Sequence, residues 1–473
     1  MAELHWIPLD SEQSKLLRQA AVAGNTERPA AMVSNQDMDL NALHGDGLEG
    51  STLLHTAAAH GQLETILFLL DHGVAVDILD RDQFGCATPL YYAARKTQIE
   101  AAQVLLDAGA DINARGPSDN TVGSAVIPVT MKVTNACITL MNLLLDRGFD
   151  VNTRASTYGP SVLEQAIKAE SYSMIQILLD RGANLTGSIH IAVEFHKSVD
   201  TVNFLIDRGA KDPDFETLTR AACWNKVETA KVLLARSSEI TSITNPVNAL
   251  PMAARMGHSN MVGLLLDYGL KVDCVDDVGQ TPLIAACGAD RPSYDIVHLL
   301  IRRGASVNAK TLGGLYQAGG PYQAGDSPLH AAAWRSHPNT VQELLHAGAD
   351  VTSRNNRGDT PLIKFADNIN GPFIRLSEAS PSPRLDTFRL LLEAGSDVNA
   401  RDLQGRTALH HIAANHFADR ESNRFKAAEM LLVKGIDLAV RDSNGQAAAD
   451  LLRPMDTQLR HLMENEAQVR GTL

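Results

Sequence analysis

Histidines recur in this chain at positions where they could act as bases or as metal ligands. Four of them close a short repeated tetrad, which reads Ser-Pro-Leu-His in its clearest copy, and they are His55, His190, His330 and His410. His411 and His416 follow the last tetrad closely. Two histidines that share a metal on one helix lie three or four residues apart. Because the separations within His410, His411 and His416 are one, five and six residues, we expect no metal there.

The sequence lacks the motifs that place a nucleophile beside a base. It contains no G-x-S-x-G elbow, no H-E-x-x-H pair, no Walker A loop and no G-x-G-x-x-G turn after a strand. Aspartate recurs instead in Leu-Leu-Asp at a fixed register, which indicates architecture rather than a site. We therefore expect a protein that is not an enzyme and that needs no cofactor.

Residues 325–351 show the elements that must position these histidines. Ser327 can cap a helix that has Pro328 at its first position and His330 in its first turn. A second helix follows Pro338 and ends before Gly348, a residue that adopts the left-handed conformation without strain. Helices of about a dozen residues are marginal on their own in water. The unit must therefore stack on neighbours.

Imperfect copies of this unit recur along the chain at a period of about 33 residues, which is the length of the ankyrin repeat. Good copies of the tetrad include Thr88-Pro89-Leu90-Tyr91, Thr360-Pro361-Leu362-Ile363 and Thr407-Ala408-Leu409-His410. On these motifs the chain resembles the ankyrin-repeat proteins. The leucine of the tetrad, or the residue that replaces it, is predicted at thirteen positions: Leu17, Leu54, Leu90, Val126, Leu163, Ile189, Leu218, Leu250, Leu283, Leu329, Leu362, Leu409 and Ala449.

The resemblance implies an all-α solenoid of about thirteen helix-turn-helix units with short turns between them. We expect an N-terminal capping repeat over residues 1–46, the array over 47–442, and a C-terminal capping repeat over 443–473. Insertions are expected at 309–325, 367–386 and 414–425, where the spacing lengthens. In the ankyrin family the tetrad histidine is structural and ties one unit to the next by hydrogen bonds, so we expect that role here.

Composition and charge limit the class of protein. The hydrophobic share of 44% is that of a globular protein, and no apolar run approaches the roughly 20 residues that span a bilayer. The formal net charge of −13 disfavours nucleic acid and anionic membranes as partners. The five scattered cysteines form neither a zinc site nor a disulfide framework. We expect a monomer in the cytoplasm, with the nucleus as a second possible location.

Partners of ankyrin-repeat proteins usually bind the concave face, which the resemblance assigns to the turns and to the exposed side of each first helix. Trp, Tyr and Arg dominate interaction hot spots. The array is expected to hold Trp224, Arg255, Trp334 and Arg335 on one side, and the first insertion to bring two tyrosines close to them. The residues predicted to bind a partner are Tyr92, Arg95, Arg220, Trp224, Arg255, Tyr316, Tyr322, Trp334 and Arg335.

The resemblance is specific for the fold and leaves the function open. The favoured function is a non-catalytic scaffold or adaptor that binds a protein on its concave face. The alternative is an enzyme or small-molecule binder with a pocket between the inserted loops and the groove. Such a pocket would be recognised by convergent polar groups with perturbed titration. A third reading, a substrate receptor for a ubiquitin ligase, would need a docking module that the repeats leave little room for. Ser380 and Ser382, each followed by proline, are candidate phosphorylation sites.

Overall fold

The structure is a computed structural model, and it is described in segments. These are residues 6–8, 12–24, 39–45, 50–81, 86–127, 132–154, 159–211, 216–237, 248–290, 293–312, 323–369, 383–415 and 421–470. The chain divides into two compact units, Met1–Asp212 and Pro213–Leu473. Each unit is built from pairs of short helices that pack on the pairs before and after them. Among the described residues, no helix is both long and apolar enough to cross a bilayer.

The first unit begins with a small three-stranded sheet, which the sequence did not predict. Strand β1 (Trp6–Pro8) pairs in parallel with β2 (Leu43–Gly45), and β2 pairs antiparallel with β3 (Gly50–Ser51). Its elements are β1 (Trp6–Pro8), α1 (Glu12–Ala23), β2 (Leu43–Gly45), β3 (Gly50–Ser51), α2 (Leu53–His60), α3 (Leu63–Asp71), α4 (Pro89–Arg95), α5 (Ile99–Asp107), a 3-10 turn (Pro117–Asp119), α6 (Val122–Val126), α7 (Asn135–Asp146), α8 (Val162–Lys168), α9 (Tyr172–Asp180), α10 (Ser188–Glu194) and α11 (Val199–Asp207).

The second unit continues the same alternation of a first helix and a second helix. Its elements are α12 (Glu216–Cys223), α13 (Val227–Ala235), α14 (Ala249–Met256), α15 (Ser259–Asp267), α16 (Pro282–Cys287), α17 (Tyr294–Arg302), α18 (Pro328–Arg335), α19 (Pro338–His346), α20 (Pro361–Asp367), α21 (Pro383–Glu393), α22 (Ala408–Ala414), α23 (Glu421–Val433), a 3-10 helix (Ala448–Leu451) and α24 (Thr457–Val469). The prediction of a helical repeat fold is confirmed. The number of thirteen units and the boundaries of the capping repeats stay predictions.

The first helices start as the tetrad predicts. In α16 the Thr281 hydroxyl accepts the N–H of Ile284 and Pro282 occupies the first turn. Small residues such as Ala332 and Ala333 in α18 are fully buried, and so are leucines of the second helices such as Leu344. The core is therefore a thin layer of Ala and Leu that runs from one pair to the next.

The tetrad histidines confirm their predicted structural role in three units. In each, Nδ1 lies 2.8–2.9 Å from the hydroxyl that caps the same helix. The Nε2 atom bonds a backbone oxygen that precedes the next first helix: His55 reaches Ala87 at 2.9 Å, His330 reaches Asp359 at 2.9 Å and His410 reaches Gln446 at 3.3 Å. His190 differs, because Gly187 replaces the capping hydroxyl and the imidazole lies 3.6 Å from Glu194.

The turn before a first helix is called the finger here. In several of the described units a carboxylate or an amide oxygen closes it. Asp402 Oδ1 accepts the N–H groups of Gln404 and Arg406, each at 2.8 Å. Neighbouring fingers are joined by backbone hydrogen bonds, as from the Leu403 N–H to the Arg357 oxygen at 2.9 Å. Gly358 has φ +80°, and a Cβ on it would approach the Leu403 nitrogen to 2.9 Å. Glycine is thus required where two fingers meet.

The position of the tetrad leucine is called the anchor here, and Val126 was wrongly predicted to occupy it. Thr121 caps α6 through the Ser124 N–H at 3.0 Å, so the anchor position, two residues after the cap, belongs to Gly123. A Cβ on Gly123 would lie 2.4 Å from the Phe149 ring. The phenyl ring of Phe149 fills the space that the tetrad leucine takes elsewhere, which the period alone could not reveal.

Leu329→Ala is expected to lower the free energy of unfolding by about 2–5 kcal/mol, because the Leu329 side chain is fully buried and its truncation leaves a cavity. Pro328→Ala should cost less, since it removes fewer contacts from the first turn. Urea denaturation followed by circular dichroism measures both. An unchanged midpoint for Leu329→Ala would contradict the assignment of this residue to the core.

Candidate functional site

The candidate binding surface is the first-helix face, meaning the fingers together with the exposed sides of the first helices. In the first unit it carries Tyr92 and Arg95. The Tyr92 hydroxyl donates to Asp80 Oδ2 at 2.6 Å, and its ring meets the His55 ring edge-on at 5.2 Å between centroids. Tyr92 is half-buried and Arg95 is exposed. Tyr92 therefore ties a finger to a first helix and presents only part of its surface.

Arg220 and Arg255 lie on the first-helix face of the second unit. Arg220 forms an ion pair of 3.4 Å with Glu216 on its own helix. Arg255 donates to Asp276 Oδ2 at 3.1 Å and to Gln280 Oε1 at 2.9 Å. Both acceptors of Arg255 belong to the following finger. The guanidinium of Arg255 is thus oriented by the next repeat, whereas the ion pair of Arg220 with Glu216 lies within one helix.

Trp224 is the most exposed large aromatic residue on the described part of this face. Half of its surface (50%) is accessible to solvent, and Met256 is 47% exposed. Both lie six residues after the anchor leucines of their repeats, Leu218 and Leu250. The two first helices, α12 and α14, pack against each other. Trp224 and Met256 are therefore an apolar pair at equivalent positions of successive repeats.

Trp334 does not share the register of Trp224, so the prediction that the two rings face the same way is corrected. Trp334 lies five residues after Leu329, one fewer than separates Trp224 from Leu218, and one residue turns a helix by about 100°. Only 4% of Trp334 is exposed. The Arg335 guanidinium lies 5.0 Å from its ring centroid, and Arg335 Nε donates to the Gly288 oxygen at 2.9 Å. Trp334 thus supports Arg335 from within the array.

Tyr316 and Tyr322, the tyrosines of the first insertion, lie outside the described residues, as do Ser380 and Ser382. The insertions are described only at their edges. Residues 309–312 and 323–325 flank the first, 367–369 and 383–386 the second, and 414–415 and 421–425 the third. The predicted contacts of these tyrosines stay predictions.

At the position two residues after the anchor leucine, the sequence pattern singled out Tyr92 and Arg220 but missed Lys364 and His411. The repeat of residues 325–351 has the small Ala331 at this position, and another unit has Ala285. Three units replace it with a large polar side chain that reaches an aspartate of a finger: Tyr92 reaches Asp80, Lys364 reaches Asp326 and His411 reaches Asp402. The departure from a small residue at this register was the signal available in the sequence.

Lys364 and Asp326 form an ion pair that is wholly enclosed. The Lys364 Nζ lies 3.2 Å from Asp326 Oδ2, and neither side chain is exposed. Asp326 also accepts the Asn355 amide at 2.8 Å and the Gln323 N–H at 2.7 Å. Burial lowers the pKa of Lys364, although the Asp326 carboxylate opposes that shift. A charge pair with this little water around it depends on each partner for its stability.

His411 lies between two carboxylates of different repeats. Its Nδ1 is 3.3 Å from Asp367 Oδ1, and its Nε2 is 2.9 Å from Asp402 Oδ2. Burial alone would lower the pKa of His411, but the hydrogen bonds to Asp367 and Asp402 outweigh it and raise the pKa to about 9. The imidazole is therefore protonated at neutral pH and donates from both nitrogens.

Oxygen and nitrogen atoms of Asp359, Asp402 and His411 come within 4.8 Å of one another, a spacing that could hold a metal ion. Metal ligation needs a neutral imidazole with a free nitrogen. Both nitrogens of His411 are engaged with carboxylates and its pKa is raised to about 9. Arg357 also lies 3.7 Å from Asp359. The chemistry of this cluster favours an internal ion-pair network over a metal.

A cavity of about 440 Å³ opens beside this network. It lies in the C-terminal repeats, next to the edges of the second and third insertions. The seven residues that line it are Arg357, Asp367, Arg406, His411, Ala414, Asn415 and Arg453. None of them was among the residues predicted to bind a partner. Convergent polar groups with shifted pKa values are the feature by which the predicted alternative, a pocket at the inserted loops, would be recognised.

Comparisons with known proteins agree with the geometry of the helix pairs. A family model described as ankyrin repeats matches in three copies, over residues 17–116, 218–311 and 329–442, which together exceed half of the chain. The ankyrin repeat domain of human ASB11 covers 53% of this chain and 96% of its own, with 24% identity and a TM-score of 0.41.

Curated relatives are similar over parts of the chain. The human transient receptor potential cation channel subfamily A member 1 is 25% identical over 406 residues, which are 75% of this chain and 35% of the channel. The mouse B-cell lymphoma 3 protein homolog is 31% identical over 214 residues, which are 41% of this chain and 45% of that protein. The chain thus spans less than half the length of these relatives.

Proposed function

Because the chain belongs to the ankyrin-repeat family, we propose that it is a non-catalytic scaffold or adaptor that binds a protein partner on its first-helix face. Such an array offers many short segments side by side, each contributing a few side chains to one contact surface. The proposal assigns the chain no chemistry of its own.

The exposure of Trp224 carries this proposal. A tryptophan that keeps half of its surface in solvent, with Met256 at the equivalent position of the next repeat and Arg220 four residues earlier, offers the aromatic, sulfur and guanidinium groups that are enriched in interfaces. Arg255 adds a guanidinium that its finger already orients, so little side-chain entropy is lost when a partner binds it. We therefore place the centre of the contact on α12 and α14.

The other predicted residues extend the proposed contact. Arg335 continues it on α18, with Trp334 as the ring on which its guanidinium rests. Tyr92 and Arg95 supply a contact of the same kind in the first unit. We retain Tyr316 and Tyr322 on the sequence pattern alone. Deletion of residues 312–322 is the variant that tests them.

Trp224→Ala is expected to weaken partner binding at least tenfold, since truncation of an interface tryptophan typically costs about 2 kcal/mol or more. The measurement is titration calorimetry against the partner captured by the intact chain. Tyr268→Ala is the matched control, because Tyr268 is equally exposed (48%) but lies at the end of a second helix, α15. Equal loss of affinity in both variants would contradict the proposed face.

We also propose a monomer in a reducing compartment, the cytoplasm or the nucleus. The five cysteines, all among the described residues, form no disulfide, and burial raises the pKa of the Cys274 thiol to about 12, so that this thiol stays protonated and inert. Light scattering behind size exclusion tests the monomer. Fractionation of cells that express a tagged chain tests the location.

A second candidate function, binding of a small ligand, is favoured by one observation. The cavity of about 440 Å³ lies within the size range of ligand sites and gathers polar groups from three repeats. Calorimetric screening of charged small molecules against the intact chain tests it.

A further inference from the structure

The lining of the cavity beside Asn415 carries an excess of positive charge. Arg357, Arg406, Arg453 and the His411 imidazolium contribute cations. Asp367 is the only acid among the lining residues that the structure describes, and it accepts a hydrogen bond from His411. The whole chain, in contrast, has a formal net charge of −13. Cationic side chains thus outnumber carboxylates in the described lining, and the carboxylates of Asp359, Asp402 and Asp442 lie directly behind it.

Two of the arginines are oriented by carboxylates outside the lining. Arg406 Nε donates to Asp442 Oδ2 at 3.2 Å, and Arg357 Nε lies 3.7 Å from Asp359 Oδ2. A guanidinium is planar and has five N–H donors, so a carboxylate on Nε leaves the Nη groups for another acceptor. Within the described residues, neither arginine gives its Nη groups to a hydrogen bond or an ion pair. The carboxylates on Nε thus orient two guanidiniums whose paired Nη donors, called forks here, have no acceptor among the described residues.

Asn415 adds a polar atom without a partner. Its Nδ2 donates to the Asp367 backbone oxygen at 3.0 Å, while its Oδ1 is buried and accepts no hydrogen bond from any described residue. Only 9% of Asn415 is exposed. A buried acceptor without a hydrogen bond carries an uncompensated desolvation cost, and a donor on a ligand would offset that cost. The cavity thus offers guanidinium donors for an oxyanion and one acceptor for an adjacent N–H or O–H group.

We propose that this cavity binds a phosphate monoester, with the guanidiniums on the phosphate oxygens and Asn415 Oδ1 accepting from the group that carries the phosphate. Arginine forks match phosphate geometry through paired hydrogen bonds. A volume of about 440 Å³ holds more than the phosphate alone, and it lies in the range of ligand sites. A lone carboxylate would use the fork of Arg357 or that of Arg406 and leave the other of these two without an acceptor.

A phosphate monoester can reach the cavity from two sources. One is a phosphorylated side chain of a protein partner, and the other is a free phosphorylated compound. Neither source depends on Trp224, which directly follows α12, whereas the cavity is built by α20, α22, the fingers that precede them and Arg453. Phosphate binding in the cavity and partner binding at Trp224 can therefore be tested separately, and either one can fail while the other stands.

The first experiment is titration calorimetry of the intact chain at low salt. The probes are O-phospho-L-serine and a degenerate peptide library with one fixed phosphoserine, each beside its counterpart that carries serine. We expect both phosphorylated probes to bind and both serine counterparts to fail. Binding of the peptides at least tenfold tighter than the amino acid identifies a phosphorylated partner, and equal or weaker binding identifies a free compound. No binding of either phosphorylated probe, or equal binding of the serine counterparts, overturns the proposal.

The second experiment locates the site with Arg406→Gln and Arg453→Gln. Each is expected to weaken binding of the phosphorylated probe at least tenfold, and Trp224→Ala should leave it unchanged. Arg303→Gln is the matched control, because Arg303 pairs with Asp267 at the end of a second helix, outside the cavity. Arg453→Gln decides the question if the loss of the Arg406–Asp442 pair impairs folding. Retained affinity in the folded variants, or an equal loss in Arg303→Gln, overturns the assignment.

Discussion

Asp326→Ala is expected to lower the free energy of unfolding by about 3–5 kcal/mol, because it leaves the Lys364 ammonium buried without its counter-ion. Both side chains are fully enclosed, so water cannot replace the lost carboxylate. The Asn355 amide and the Gln323 N–H lose an acceptor in the same step. Urea denaturation, with circular dichroism as the signal, measures the change.

The control for this prediction is a double-mutant cycle with Lys364→Met. Replacement of a whole buried ion pair by apolar side chains is often neutral or stabilising. The double variant Asp326→Ala/Lys364→Met should therefore recover much of the stability that Asp326→Ala loses. A double variant that is less stable by the sum of the two single effects would show that the two charges do not interact.

His411→Ala is expected to lower the free energy of unfolding by about 3–5 kcal/mol, because it leaves the carboxylates of Asp367 and Asp402 without the cation between them. Alanine also removes the side chain that joins the finger holding Asp402 to the helix that ends at Asp367. Denaturation at pH 7 measures the loss. His461→Ala on α24 is the control, because that histidine is largely exposed, and it should change stability little.

The His411 contribution should depend on pH in one direction. The folded-state pKa of about 9 lies above the unfolded value of about 6.5, so the stabilisation is complete below pH 6.5 and is lost as pH rises through 9. The stability of the wild type should thus fall between pH 7 and 9.5 more steeply than that of His411→Ala. Parallel slopes would contradict the protonated state. Asp367 and Asp402 act directly on this imidazole, and Asp359 lies within 4.8 Å of it. Around them, Arg357 and Lys364 act on Asp367, Arg406 donates its N–H to Asp402, and His410 adjoins the imidazole.

The fold could be predicted because its signals are local and repeated. Ser327 and Pro328 start α18 as the tetrad indicates, and His330 reaches the oxygen of Asp359 as the family role implies. The prediction failed where a distant residue replaces a local one. Phe149 takes the place of a leucine at Gly123, and neither residue announces the other in the sequence.

The candidate site was harder to predict, since its parts depend on register and on contacts between repeats. Trp224 and Trp334 both follow alanines, yet a difference of one position leaves one ring half in solvent and buries the other. Lys364 reads as a surface residue until its reach to Asp326, 38 positions earlier, is known. The cavity has no motif, because Arg357 and Arg406 come from fingers of separate repeats and Arg453 follows the last 3-10 helix.

The central claim, that the first-helix face around Trp224 binds a protein partner, is tested most directly by photo-crosslinking. The intact chain would carry benzoyl-phenylalanine in place of Trp224, or in place of Tyr268 as the matched position on a second helix. Both positions are about equally exposed, so a nonspecific surface would crosslink alike from each. We predict that the position of Trp224 captures a discrete protein and that of Tyr268 does not. Capture from Tyr268 alone, or the same proteins from both positions, would contradict the proposed function.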